Sequence, residues 1–120
     1  MAARRLLIVE DEFLIRMTLA EVLTDDGFEV LEAGDADEAL ATLEREPELA
    51  IMLTDIQLPG SLDGRALAVK ARQTRPDLPV IFMSGRPDPG AANTALDLHV
   101  NKPYLPSTMS AAVRRLIGDC

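Results

Sequence analysis

The sequence predicts a doubly wound α/β fold, in which helices cover both faces of a five-stranded parallel sheet. Three observations point there. Short apolar runs recur along the 120 residues and amphipathic helical segments separate them. Polar or charged residues sit at the ends of those runs. The longest run, Leu49-Ala50-Ile51-Met52-Leu53-Thr54-Asp55, is unbroken enough to be a strand buried on both faces, and it ends on a carboxylate.

Taken in order, Leu6-Leu7-Ile8-Val9 reads as the first strand and delivers Glu10, Asp11 and Glu12 to its carboxyl end. A helix follows with Ile15, Leu19, Val22 and Leu23 on one face, closed by Asp25-Asp26-Gly27. Phe28 to Ala33 alternates as a second strand. Asp35 caps a second helix, with Glu38 completing a capping box and Pro47 beyond its end. The long third strand comes next, then a loop rich in Pro and Gly. Asp63-Gly64 opens a third helix carrying Leu67, Ala68 and Ala71, and Arg75-Pro76 closes it. Pro79 to Ser84 is the fourth strand. Pro87, Pro89 and Gly90 break the following segment, leaving a short or irregular fourth helix around Ala91 to Leu96. Leu98 to Asn101 forms a brief fifth strand ending at Lys102-Pro103, and Ser107 caps a last helix containing Met109, Ala112, Val113, Leu116 and Ile117.

Composition narrows the function. Hydrophobic residues make up 48% and charged residues 27%, an ordinary globular balance, and the length suits a single domain spanning residues 1–120. Twelve Lys and Arg against twenty Asp and Glu give a net charge of −8, which argues against a nucleic-acid or anionic-membrane partner. A single cysteine, Cys120, excludes an internal disulfide and fits a cytoplasmic setting. The apolar run after Arg4-Arg5 is too short for a signal peptide or membrane insertion.

Parallel strands present their carboxyl ends along one edge, where ligands collect. Glu10, Asp11, Asp55, Ser84 and Lys102 would all converge there. Singly, each has a plain explanation: an acid favoured by a helix dipole, a turn Asp before Pro59, a Ser bonding nearby backbone, a solvated Lys. Together they are harder to dismiss. Clustered carboxylates repel by roughly 4 kcal/mol per pair at about 4 Å with an effective dielectric near 20. A hard divalent cation relieves that repulsion, and ligands that are all oxygen suit Mg²⁺. Zinc is disfavoured because His99 and Cys120 have no paired spacing. A carboxylate beside a cation, an ammonium and a hydroxyl can act as a nucleophile toward phosphorus.

The motifs Val9-Glu10-Asp11-Glu12, Thr54-Asp55-Ile56-Gln57-Leu58-Pro59-Gly60, Asp63-Gly64, Met83-Ser84-Gly85 and Lys102-Pro103 resemble those of two-component response-regulator receiver domains, the CheY-like group with a flavodoxin-like fold. The resemblance runs from Leu6 to Ile117 and implies the strand order 2-1-3-4-5. It implies Asp55 as the phosphoacceptor, with Glu10 and Asp11 as the acidic pair at Mg²⁺ and Asp11 the direct ligand. Glu10 replaces the more frequent Asp and is able to reach the metal through water. Gln57 matches the residue whose main-chain carbonyl binds the metal, Ser84 the switch hydroxyl and Lys102 the phosphate-binding lysine. The interval from Ser84 to Lys102 is shorter than is usual in the family, and His99 stands where a switch Tyr or Phe is usual. Both features resemble a subgroup with a reduced fourth helix.

The implied function is phosphoryl acceptance on Asp55 from a histidine kinase or histidine phosphotransfer protein. Altered binding of a downstream protein target would follow. The chain is expected to be a monomer or weak homodimer, and not an enzyme beyond self-phosphorylation and slow autodephosphorylation. A stand-alone regulator, a phosphate sink and a receiver excised from a hybrid kinase all fit. Two alternatives use the same fold. A flavin-binding module would need a phosphate loop rich in Ser, Thr and Gly after Val9. A small Mg²⁺-dependent phosphohydrolase would usually carry a second Asp where Gln57 stands.

Overall fold

The computed structural model describes residues 4–85 and 94–118. In chain order they form β1 (Arg5–Val9), α1 (Phe13–Asp25), β2 (Glu29–Ala33), α2 (Ala36–Arg45), β3 (Leu49–Asp55), α3 (Gly64–Arg72), β4 (Val80–Ser84), β5 (Asp97–Asn101) and α4 (Pro106–Ile117). The strands make one five-stranded sheet in the order β2-β1-β3-β4-β5, and every pairing is parallel. This is the flavodoxin-like order expected from the sequence.

Residues alternate between two cores because successive side chains leave a strand on opposite faces. Leu7, Val9, Met52, Val80 and Phe82 pack with Ala39 and Leu43 of α2 and Leu67, Ala68 and Ala71 of α3. Leu6, Ile8, Ile51, Leu53, Ile81, Met83 and Leu98 pack with Leu19 and Leu23 of α1 and Met109 and Val113 of α4. The central strands are therefore apolar at almost every position, as a sheet covered on both sides requires.

Local chemistry sets the helix ends. The Asp35 carboxylate accepts from Glu38 N at 2.8 Å to start α2, and Asp63 accepts from Ala66 N at 2.8 Å to start α3. Gly27, at φ +99°, turns the chain out of α1. Two expected boundaries move. Helix α3 ends at Arg72 rather than Arg75, because Thr74 N and Arg75 N both bond back to Ala71 O in a closing turn. Helix α4 starts at Pro106 with Leu105 as its cap, so Ser107 lies inside the first turn. Proline at the first helical position needs no N–H partner, and that signal outweighs the serine.

The short helix expected around Ala91 to Leu96 falls mostly outside the described residues. Thr94 to Leu96 form a turn, in which the Thr94 hydroxyl accepts from Leu96 N and Asp97 N at 3.1 and 3.0 Å. Arg72 then anchors the sheet edge: it donates to Leu78 O at 2.9 Å and pairs with Asp97 at 2.5 Å, fixing the entries of β4 and β5 together. Among the described residues, no helix is long and apolar enough to cross a membrane.

One glycine is required by contact. A Cβ on Gly64 would lie 2.2 Å from the Asp55 carbonyl oxygen and 2.9 Å from Ile56 Cα, both backbone atoms. Alanine in a helix normally gains up to about 1 kcal/mol over glycine. Here Gly64→Ala is expected to destabilise by about 2 kcal/mol or more, through forced backbone displacement. Gly85→Ala, with nothing within 4 Å of its Cβ, should be near neutral. Urea unfolding of the two variants measures the contrast.

Candidate functional site

The strand order reverses between β1 and β3, which lie side by side, so the crevice opens at their carboxyl ends. Glu10 follows β1 directly, its N–H bonded to Ala33 O at 3.0 Å. Asp55 is the last residue of β3, and Ile56 N is held by Met83 O at 2.9 Å. Lys102 leaves β5 with its N–H on Ser84 O at 2.7 Å. Three parallel strands thus bring the residues at or just past their carboxyl ends to one point.

The side chains meet there. Lys102 Nζ donates to Glu10 Oε2 at 2.8 Å and to Asp55 Oδ2 at 2.9 Å. Glu10 is 1% exposed and Asp55 8%, while Asp11 is exposed. One carboxylate oxygen from each of Glu10, Asp11 and Asp55 lies within 4.8 Å of the others. Backbone amides supply the remaining donors: Glu12 N bonds Glu10 Oε1 and Gln57 N bonds Asp55 Oδ1, each at 3.2 Å. Burial pushes the Glu10 carboxyl above the usual glutamate range against the opposing pull of Lys102. Burial would lower Lys102, but its bonds to Glu10 and Asp55 outweigh that and hold the ammonium above the ordinary lysine value. Tyr104, two residues on, has its phenol raised by burial.

A family model described as the response regulator receiver domain matches residues 6–114. The chain belongs to that family. The receiver domain is 33% identical to the phosphate regulon transcriptional regulatory protein PhoB of Klebsiella pneumoniae over 121 residues, 96% of this chain and 52% of that protein. It thus spans about half the length of the curated relatives it matches. Among solved structures, a CheY-like receiver domain protein from Methanospirillum hungatei superposes with a TM-score of 0.86 at 28% identity, covering 98% of this chain and 95% of that one. The receiver domain of the hybrid histidine kinase CckA gives 0.80 at 35% identity, covering 93% and 98%. Receiver domains are signalling modules of two-component response regulators and typically bind Mg²⁺ at an acidic pocket; Glu10, Asp11 and Asp55 form an acidic group here.

Of the expected site residues, Glu10, Asp11, Asp55 and Lys102 come together, with Gln57 beside Asp55 through its N–H and Ser84 beside Lys102 through its carbonyl. His99 does not join the carboxylates. It stacks on Phe82 with ring centroids 5.1 Å apart, and its Nε2 lies 3.3 Å from an Arg65 guanidinium nitrogen. The Arg65 guanidinium carbon lies 5.3 Å from the Phe82 centroid. Sequence patterning does not flag Arg65 or Arg16. Arg16 donates to Glu10 O at 2.7 Å and pairs with Glu32 at 3.1 Å. The available signal was a lone cation in the run Phe13-Leu14-Ile15-Arg16-Met17.

Two measurements follow. Lys102→Met leaves two buried carboxylates without their ammonium and is expected to cost roughly 3 kcal/mol at neutral pH. Glu10 binds its proton more tightly folded than unfolded, so its contribution is fully present below the ordinary glutamate value and lost as pH rises through the raised one. The loss in Lys102→Met should therefore shrink on acidification, and Asp55→Asn on that background should recover part of it in urea unfolding. For His99, a guanidinium has no acceptor, so the contact needs Nε2 unprotonated and the hydrogen on Nδ1. Nitrogen NMR of the ring at neutral pH should report that tautomer.

Proposed function

We propose that Asp55 accepts a phosphoryl group from a histidine kinase or histidine phosphotransfer protein, and that residues 1–120 act as one cytoplasmic receiver unit. The observation that carries this is the placement of the Asp55 carboxylate: at the strand-order reversal, bonded to Lys102, and among the oxygens of Glu10 and Asp11. Those oxygens match a hard divalent cation, since no nitrogen or sulfur ligand is among them. Glu10, Asp11, Asp55 and the Gln57 carbonyl would hold Mg²⁺. The metal, once bound, supplies positive charge against the phosphoryl oxygens.

The protein's own groups do the rest. An Asp55 oxygen forms the bond to phosphorus as the P–N bond of the donor breaks, the electron pair leaving on the donor imidazole. Gln57 N–H keeps Asp55 Oδ1 directed, so the carboxylate is oriented before the donor arrives. Lys102 exchanges its bond to Asp55 for one to a phosphoryl oxygen and stabilises the charge there. Ser84, paired with Asn101 across β4 and β5 and accepting from Lys102 N through its carbonyl, carries the hydroxyl that would follow the phosphoryl group. His99, stacked on Phe82, sits on the edge strand where such a displacement would be read.

The surface around the crevice suits a protein donor. Phe13, Leu14 and Leu105 are 60%, 69% and 68% exposed. An apolar groove of about 300 Å³ lies between α1 and the Tyr104–Pro106 segment, lined by Leu14, Ile15 and Tyr104 among others. Exposed apolar side chains of this size, gathered beside a charged site, mark a contact surface for another protein. The downstream target is likewise a protein, given the net charge of −8.

Incubation with acetyl phosphate or a small phosphoramidate and Mg²⁺ should add one phosphoryl group by intact mass. Asp55→Asn should abolish it, because an amide is not a comparable nucleophile. Labelling that persists in Asp55→Asn would place the acceptor elsewhere. Phosphotransfer profiling against the source organism's histidine kinases then identifies the donor.

A further inference from the structure

We propose that Arg16 is a positioning residue for the cation site, acting through the peptide plane that carries Asp11. The proposal rests on the reading of Glu10, Asp11 and Asp55 as that site. Glu10 O and Asp11 N belong to one rigid plane. Arg16 Nη1 donates to Glu10 O at 2.7 Å, while the N–H of Glu10 bonds Ala33 O at 3.0 Å. The turn from β1 toward α1 is therefore gripped at both polar atoms of Glu10. Asp11 is exposed, and this grip on the backbone directly before it limits where its carboxylate can project.

The guanidinium is itself aimed. Its Nε donates to Glu32 Oε1 at 3.1 Å, and its carbon lies 5.5 Å from the Phe13 ring centroid. A planar fork serves two acceptors at once; a lysine ammonium in its place has neither the reach nor the fixed geometry. Arg16 thus ties the acidic turn to the end of β2, on the far side of the crevice from Lys102. Groups that orient metal ligands typically change metal affinity by 10–100-fold when removed.

The sign of the effect separates positioning from simple charge. Arg16 is a cation near an anionic site, so deleting its charge alone would tighten Mg²⁺ binding. Loss of the oriented peptide plane weakens it. Mg²⁺ titration followed by backbone amide shifts, with urea unfolding at zero and saturating Mg²⁺, reads both quantities. Arg16→Met is expected to weaken Mg²⁺ binding by roughly tenfold. Arg16→Lys should weaken it similarly, despite keeping the charge.

Glu32→Asp retains the carboxylate but shortens its reach to Arg16. It should weaken binding in the same direction, and it serves in place of Arg16→Met if that variant does not fold. Unchanged or tighter Mg²⁺ binding in these variants overturns the assignment, as does lost stability with no change in affinity. The parent and Asp11→Asn control the underlying reading. Absence of a saturable Mg²⁺ response in the parent, or its persistence in Asp11→Asn, sinks the cation site and the role of Arg16 with it.

Discussion

The ammonium of Lys102 lies between Glu10 and Asp55, carboxylates almost closed to solvent, and bonds both at under 3 Å. Acids so placed repel strongly in a low-dielectric setting, so β1 and β3 can end side by side on carboxylates only with a cation between them. That cation comes from β5, which is not a sheet neighbour of either strand. One side chain therefore ties the far edge of the sheet to its centre. The Arg72 clamp on Leu78 O and Asp97 serves the same end, because it fixes where β5 begins and hence where Lys102 emerges.

The architecture was legible because a sheet covered on both faces leaves an unambiguous pattern. Leu6-Leu7-Ile8-Val9 and Ile51-Met52-Leu53 are apolar without alternation, and each residue is fully buried. The caps at Asp35 and Asp63 were readable for a local reason: each carboxylate bonds an amide only three residues ahead. Where two local signals compete, reading fails. Pro106 and Ser107 both mark a helix start, and the fixed φ of proline prevails. At the end of α3, Pro76 is the visible stop, but Thr74 N and Arg75 N have already turned back onto Ala71 O.

The site divides in the same way. Glu10, Asp11, Asp55 and Lys102 could be placed together because strand ends in a parallel sheet share an edge. What the sequence does not reveal is which long side chains cross between elements. Arg16 reaches Glu32 on a different strand, and Arg65 reaches His99 across the sheet face. Neither distance is encoded in local spacing. The exposure of Phe13 and Leu14 is equally invisible, since helical periodicity does not tell which apolar residues lack a partner.

The close approach of Gly64 to Asp55 has a practical consequence for chain engineering. Gly64 N donates to Ile56 O at 2.7 Å, closing the segment between β3 and α3 into a ring anchored at its neck. The tip of that ring, Pro59 to Ser61, is exposed, and Gly60 turns it at φ +91°. Extra length added at such a tip costs loop-closure entropy that grows only logarithmically. The neck takes no comparable change, because a single added carbon at position 64 already meets backbone. A tag, a fluorophore attachment point or a linker to another module therefore belongs at residues 59–61, where β3 and α3 stay in register.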